Sequence, residues 1–443
     1  MRSRFLLLIG AAVILSGIFP ASSACAETKW KTDVSEEFSA DTGEGIIVGR
    51  ITGGENGSML SYYDIETQDA IYGDIYANAR LDGETWGIER INIDGGGSEV
   101  VMKRRPATGS TKRFDMSSDG KFITYTKENS AEGGWDIYGF RCGRGKIKEI
   151  RITRENHGTG ETPKVKTSPA VYCEKEGRYA VAFSIKNRLF VAFSDADTDA
   201  PGKYERPLEI ELTDDEKNVS FHRIRLNPRY PNILMYRRNT ASKDAKIKTG
   251  DDRASRMYVI DWTKKNKRSI AWYDHKQGGP HPAWSCDGEK IGLQQDGTWT
   301  EFTVAANGEI VEGLSPETAE MKQKGPFSAS GKKYPAIFYG TYSKNGKLIA
   351  VATDSETDEG GKIYLVDAAT GDVRYLCRSL FHGPENDGQP RIRFVNGDKN
   401  IVFSTDKSYG KKKIAPPQVY IIESRSGELL VRRTSSGRSL RNR

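Results

Sequence analysis

Asp119-Gly120-Lys121-Phe122-Ile123-Thr124-Tyr125 reads as a tight turn running straight into a strand. Asp-Gly supplies the positive φ that a short hairpin requires, and the residues after it are aromatic or β-branched. The same phrase recurs along the chain. Upstream it reads Asn56-Gly57-Ser58-Met59-Leu60-Ser61-Tyr62. Downstream it reads Glu176-Gly177-Arg178-Tyr179-Ala180-Val181-Ala182, Tyr230-Pro231-Asn232-Ile233-Leu234-Met235-Tyr236, and Asp287-Gly288-Glu289-Lys290-Ile291. Asn345-Gly346-Lys347-Leu348-Ile349-Ala350-Val351 and Gly397-Asp398-Lys399-Asn400-Ile401-Val402-Phe403 complete the series. The second residues of these turns fall at 57, 120, 177, 231, 288, 346 and 398, so seven units succeed one another at steps of 52 to 63 residues.

Each unit has one internal order. A strand with Phe, Trp or Pro precedes the turn, and an alternating strand follows it. A third strand carries an aromatic and an acid, as in Trp135-Asp136-Ile137-Tyr138, Met257-Tyr258-Val259-Ile260-Asp261 and Ile363-Tyr364-Leu365-Val366-Asp367. A Gly turn then leads to a fourth strand. One such sheet cannot bury both of its faces, whereas a closed ring of stacked sheets does so and leaves only short edges. The pattern predicts an all-β fold, a seven-bladed β-propeller with four-stranded antiparallel blades. Residues 46–52 are expected to add a strand that closes the ring with the last blade. Residues 314–325 are the one stretch with a short helical pattern.

Composition agrees with a globular chain: 36% hydrophobic, 10% aromatic, 443 residues long. The mean hydropathy of −0.62 excludes a polytopic membrane protein. Arg2 and Arg4 precede an apolar run over 5–19, and Ala24-Cys25-Ala26 fits a small-residue cleavage site. Residues 1–26 therefore read as an export signal, 27–430 as a single propeller, and 431–443 as a basic tail. A lipoprotein is the alternative at the N-terminus, where Ser22-Ser23-Ala24-Cys25 loosely matches a lipobox with Ser in place of the usual Leu. The expected location is the periplasm or the extracellular space, with no transmembrane segment once the signal is removed. The net charge of +7 in an exported protein points to an acidic polysaccharide rather than to nucleic acid. Cys142, Cys173, Cys286 and Cys377 allow three disulfide pairings or none.

Propellers bind ligands at one mouth of the central channel, so residues at the start of first strands carry the chemistry. Two of the five histidines stand there. His222 opens Phe221-His222-Arg223-Ile224-Arg225-Leu226-Asn227-Pro228, and His281 opens His281-Pro282-Ala283-Trp284-Ser285-Cys286-Asp287-Gly288. A neutral imidazole suits a general base or a metal ligand. Arg223, Arg225, Arg237, Arg238, Arg391 and Arg393 cluster in the same units, and a guanidinium binds a carboxylate through two parallel hydrogen bonds.

The His222 segment with its Pro-containing turn and the strand ending at Tyr236 resembles the oligogalacturonate lyase family. Arg256-Met257-Tyr258-Val259-Ile260, the His281 segment and Ile401-Val402-Phe403-Ser404-Thr405-Asp406 add to the resemblance, which covers roughly residues 215–425. The first half is similar only to a generic propeller of the TolB kind. The resemblance implies a seven-bladed propeller that cleaves digalacturonate by β-elimination, with a His base and Mn²⁺ held by three His and a Gln. His222 matches the base and His281 one metal His. The family's His-x-His falls on Gln389 and Arg391, its Gln on Asn386, and two further His on Tyr339 and Arg238. A metal site is therefore not expected here. Two roles stay open. One is a metal-independent lyase in which His222, Arg238 and Tyr339 act on a monomer's bound oligosaccharide, with Arg223, Arg237, His281, Gln389 and Arg391 contacting the substrate. The other is a non-catalytic, TolB-like propeller that binds an envelope protein.

Overall fold

The computed structural model describes the strands and most of the hairpin turns between Thr42 and Leu429. Residues 1–41 and 430–443 lie outside the description. So do a number of connecting segments, chiefly 53–57, 61–65, 107–113, 130–133, 156–164, 195–204, 213–219, 240–254, 274–281, 313–336, 354–360, 380–390 and 406–417. The export signal, the basic tail and the helix expected at 314–325 fall among these.

Seven antiparallel sheets make up the described chain. The second blade shows the plan: Phe114–Met116, Phe122–Asn129, Gly134–Arg141 and Ile150–Arg151, hydrogen-bonded in that order. The blades that follow open with Lys166–Thr167, Ser220–Leu226, Ala283–Trp284, Ile337–Tyr342 and Arg391–Val395. The first blade runs Ser58–Met59, Ile75–Arg80, Trp86–Ile91 and Ser98–Arg104. Ile46–Arg50 does not belong to it. That strand pairs with Gln418–Ser424 from Ile46 opposite Ser424 to Arg50 opposite Tyr420, and forms the outer strand of the seventh blade.

The core lies between blades, as two-faced strands demand. In Arg178–Ile185, Ala180 and Ala182 pack toward the fourth blade with Phe221, Leu234 and Tyr236. The alternate residues Tyr179, Val181 and Phe183 pack toward the second blade with Phe122, Trp135 and Ile137. In Ile233–Asn239 the same split sends Leu234 and Tyr236 one way and Ile233 and Met235 the other. Each fully buried side chain of this size stabilises the fold by about 1.5–3 kcal/mol, and every blade supplies half of two such layers.

The repeated turn has a chemical reason. Ser117 Oγ accepts from the Phe122 N–H (2.9 Å) and donates to Asp119 Oδ1 (2.5 Å), while Gly120 takes φ +68° and donates to Ser117 O (2.9 Å). Ser285-Cys286-Asp287-Gly288 and Ser343-Lys344-Asn345-Gly346 repeat this arrangement bond for bond. In the first blade the corresponding turn is not Asn56-Gly57, which precedes the first strand in sequence and lies outside the described residues. It is formed by residues 69–74: Asp69 Oδ1 accepts the N–H groups of Ile71 (2.8 Å) and Tyr72 (2.6 Å), and Gly73 takes φ +75°. In the third blade the first strand is broken into Lys166–Thr167 and Val171–Cys173. Pro169 has no N–H to give the ladder, and Ser168 Oγ accepts the Ala182 N–H instead (2.9 Å). All four propeller cysteines are free thiols.

Candidate functional site at the strand-start mouth

The first strands of neighbouring blades lie against one another and form the channel wall. Polar contacts tie them together. Thr167 Oγ1 of the third blade donates to Asp115 Oδ2 of the second (2.6 Å), and Arg225 Nη1 of the fourth reaches Thr167 O (3.4 Å). Arg393 Nη1 of the seventh donates to Thr341 Oγ1 of the sixth (2.8 Å). Arg391 Nη1, also of the seventh, donates to Leu60 O of the first (2.7 Å). Asp115, Thr167 and Thr341 escape sequence reading, because each is an ordinary polar residue whose place on the wall is known only once the blades are closed.

Three blades bring described candidate residues to one end of this wall. His222 and Arg223 stand in the first strand of the fourth, Tyr339 in that of the sixth, and Arg391 begins that of the seventh. His281 of the fifth blade, like Gln389 and Asn386, lies outside the described residues. The sheet register sets His222 opposite Arg237 and Phe221 opposite Arg238; the side chains of His222, Arg237 and Arg238 are not among those described. Arg223 is 7% exposed, Arg225 4%, Arg391 1% and Tyr339 1%.

Two bulges shape this end. The fourth blade shifts register between His222 and Arg225, and Arg223 there adopts φ +56°. Only a few per cent of non-glycine residues take positive φ, and such outliers are held by their surroundings. The bulge re-phases the strand, so Phe221, Ile224 and Leu226 all pack in one core. The sixth blade shifts between Ile337 and Tyr339. A bulge inserts one unpaired residue and re-aims side chains, which is why bulges gather beside functional sites.

The end is rich in buried positive charge. Besides Arg223, Arg225 and Arg391, Arg104 closes the outer strand of the first blade at 2% exposure. It donates to Thr126 O (2.9 Å) and lies over the Tyr125 ring at 5.4 Å. Burial pushes its guanidinium down to about 10. Buried guanidinium groups favour an anion, and desolvation strengthens that preference. The Mn²⁺ set implied by the family resemblance does not fit this wall. A buried guanidinium occupies the Arg391 position, and a fixed cation there opposes a second one.

No protein-family profile matches the sequence, and no curated protein matches it. Solved structures do. An oligogalacturonate lyase from Vibrio parahaemolyticus superposes with a TM-score of 0.56 at 13% identity, covering 86% of this chain and 95% of that one. A 6-phosphogluconolactonase homologue from Bacteroides fragilis covers 82% of this chain and 89% of its own, with a TM-score of 0.40 and 16% identity. At these identities the likeness is one of fold. The chain is a seven-bladed β-propeller that shares the architecture of oligogalacturonate lyase.

Proposed function

We propose that the strand-start mouth binds an acidic oligosaccharide and that the protein is a lyase acting on uronic acid chains outside the cytoplasm. The observation that carries this reading is the set of buried arginines, Arg223, Arg225 and Arg391, on the channel wall at the end where His222 stands. A uronate carboxylate paired with Arg391 or Arg238 loses most of its charge, and the neighbouring C5 proton becomes more acidic. His222 then takes that proton, the electron pair forms the C4–C5 double bond, and the O4 leaving group departs with a proton from Tyr339. Arg223, Arg237, His281 and Gln389 hold the flanking sugar. No metal takes part in these steps, and one protein chain supplies every group.

The experiment is incubation of the purified protein with oligogalacturonate and a panel of other uronic acid polysaccharides, following the ultraviolet absorbance of the unsaturated product. Activity in the wild type that survives EDTA and disappears in His222→Ala supports the reading. Activity that requires added Mn²⁺ overturns the metal-free mechanism. No product on any substrate overturns the lyase reading altogether and leaves a binding propeller.

A further inference from the structure

The opposite, turn-side mouth of the channel is ringed by the hairpin turns, and the turn of the first blade departs from its siblings there. Ser118-Asp119, Cys286-Asp287 and Lys344-Asn345 fill the middle of the turns in the second, fifth and sixth blades, whereas the first blade presents Ala70-Ile71-Tyr72. All three of these residues are exposed. Of the five large apolar side chains exposed among the described residues, Ile71 is the most open, at 55%, and only Ile71 and Tyr72 adjoin one another in sequence. Neither belongs to the buried clusters on the two faces of this blade. Single exposed apolar residues are ordinary, but a contiguous group on a turn is not.

The fold holds this tip through its backbone and Asp69 rather than through the apolar side chains. Asp69 Oδ1 caps the N–H groups of Ile71 and Tyr72, Gly73 N donates to Asp69 O (3.2 Å), and Gln68 Nε2 donates to Gly73 O (2.8 Å). Ala70 N fastens the tip to Gly120 O of the second blade (3.0 Å). Polar residues at 71 and 72 would serve these bonds equally well. The Tyr72 ring packs beneath the Arg144 guanidinium, 5.0 Å from its centre, and the residue is still 48% exposed.

The surroundings of the tip are basic. Asp74, at its base, accepts from Arg144 Nε (3.1 Å) and Nη2 (3.0 Å) and lies 3.8 Å from Arg90 Nε, and Glu99 pairs with Arg90. These acids are thus matched by guanidinium groups. Lys121, which follows Gly120, and Lys146, two residues beyond Arg144, are exposed and make no ion pair among the described residues. An apolar, rigid apex is therefore flanked by uncompensated positive charge.

We propose that this tip docks the propeller onto an anionic phospholipid surface. Ile71 enters the acyl boundary, Tyr72 lies at headgroup level, and Lys121, Arg144 and Lys146 face lipid phosphates. A second copy of the chain fits less well, because in a two-fold contact the same lysines would face one another. A sugar chain fits less well too, because Ile71 offers it no polar group. The strand-start mouth then points away from the membrane. The two readings share no residue and fail separately.

The test is flotation of the protein with vesicles of phosphatidylcholine alone and of phosphatidylcholine mixed with phosphatidylglycerol. The protein is used without residues 1–26, whose apolar run would itself enter lipid; every described strand lies beyond them. We expect binding to the anionic vesicles, little to the neutral ones, and a fall as salt is raised. Ile71→Ser and Tyr72→Ser each weaken binding about tenfold. Lys121→Gln and Lys146→Gln each weaken it about fivefold and leave the thermal-unfolding midpoint unchanged, so the result stays readable even if an apolar variant is unstable. The proposal is overturned if neither vesicle binds, if both bind alike, or if all four variants bind like the wild type. Sedimentation without lipid reports the rival occupant: a dimer that Ile71→Ser dissolves would assign the tip to a second copy and overturn the proposal.

Discussion

The two mouths of the channel are built on different plans. At the turn-side mouth, short hairpins of one chemical design recur in three blades, and several turns are bonded to a neighbouring blade. Ala70 N donates to Gly120 O (3.0 Å), Tyr179 Oη to Asp119 Oδ2 (2.8 Å), Asn227 Nδ2 to Gly288 O (2.7 Å), and Gln68 Nε2 to Asn396 Oδ1 (2.9 Å). At the strand-start mouth the ladders are interrupted by bulges, Arg223 holds a backbone conformation that costs free energy, and several guanidinium groups are buried. Regularity at one end supplies the stability that irregularity at the other consumes. This is the distribution expected where one end is a frame and the other a working surface.

The contrast is open to direct attack, and the largest effect belongs to the strand-start mouth. His222→Ala is expected to lower uronate elimination about 10³-fold, within the range for loss of a general base, while shifting the urea midpoint little. A large loss of stability with it would show that the two mouths are not divided in this way. Next comes Gly288→Ala in the turn-side frame. Gly288 has φ +71°, and an added Cβ would stand 2.2 Å from Asn227 Oδ1, the atom that caps the neighbouring turn. We expect about 3 kcal/mol of destabilisation in urea unfolding, from strain and the displaced cap together, with elimination by the folded fraction unchanged.

Gly346→Ala sharpens the measurement. Its φ is +68°, but nothing lies within 4 Å of the added Cβ, so only backbone strain remains, about 1 kcal/mol. Equal costs at Gly288 and Gly346 would remove Asn227 from the account. Ser343→Ala, which deletes the hydroxyl accepting from Leu348 N (2.8 Å), is expected to cost about 1 kcal/mol by the same assay. The smallest effect is chemical. Cys142, Cys173 and Cys377 are buried, and burial pushes the Cys173 thiol up to about 11. Cys286 is half-buried beside Arg393, so at mildly alkaline pH it is expected to alkylate first of these four, as read by peptide mass spectrometry.

What could be read from the chain beforehand divides along the same line. Ser-x-Asp-Gly, or Ser-x-Asn-Gly at Ser343, is a local code: the hydrogen bonds that shape the turn at Ser117, Ser285 or Ser343 are made within a few residues, so its recurrence in the sequence already contains much of the frame. The first blade shows the limit. Its turn at residues 69–74 uses an Asp cap and Gly73 but exposes Ile71 and Tyr72, at 55% and 48%, where turns are normally polar. Asn56-Gly57 is the more obvious turn dipeptide of that stretch. The break at Pro169 was likewise unreadable without knowing that Ser168 faces Ala182. At the strand-start mouth, His222, Arg223, Tyr339 and Arg391 are legible as residue types at strand starts. Nothing local encodes the bulges at Arg223 and before Tyr339, nor the partners Leu60 and Thr341, which are hundreds of residues away or in other blades.

The pairing of Ile46–Arg50 with Gln418–Ser424 has a consequence in time. A ribosome or an export channel delivers the chain from its N-terminus, so the strand that completes the ring appears before any blade, and its partner appears after six blades are made. Until then Ile46–Arg50 has no partner, and the ends of the growing stack present open sheet edges. Contacts this far apart in sequence are slow to form. The propeller is therefore most exposed to misassociation just before synthesis ends, and a cell that makes it gains from a chaperone that holds the arc open-edged but unaggregated until the last strand arrives. A circular permutant with its new termini in a loop between two blades would join residues 46–50 covalently to the seventh blade. It would move that waiting period to a different pair of edges.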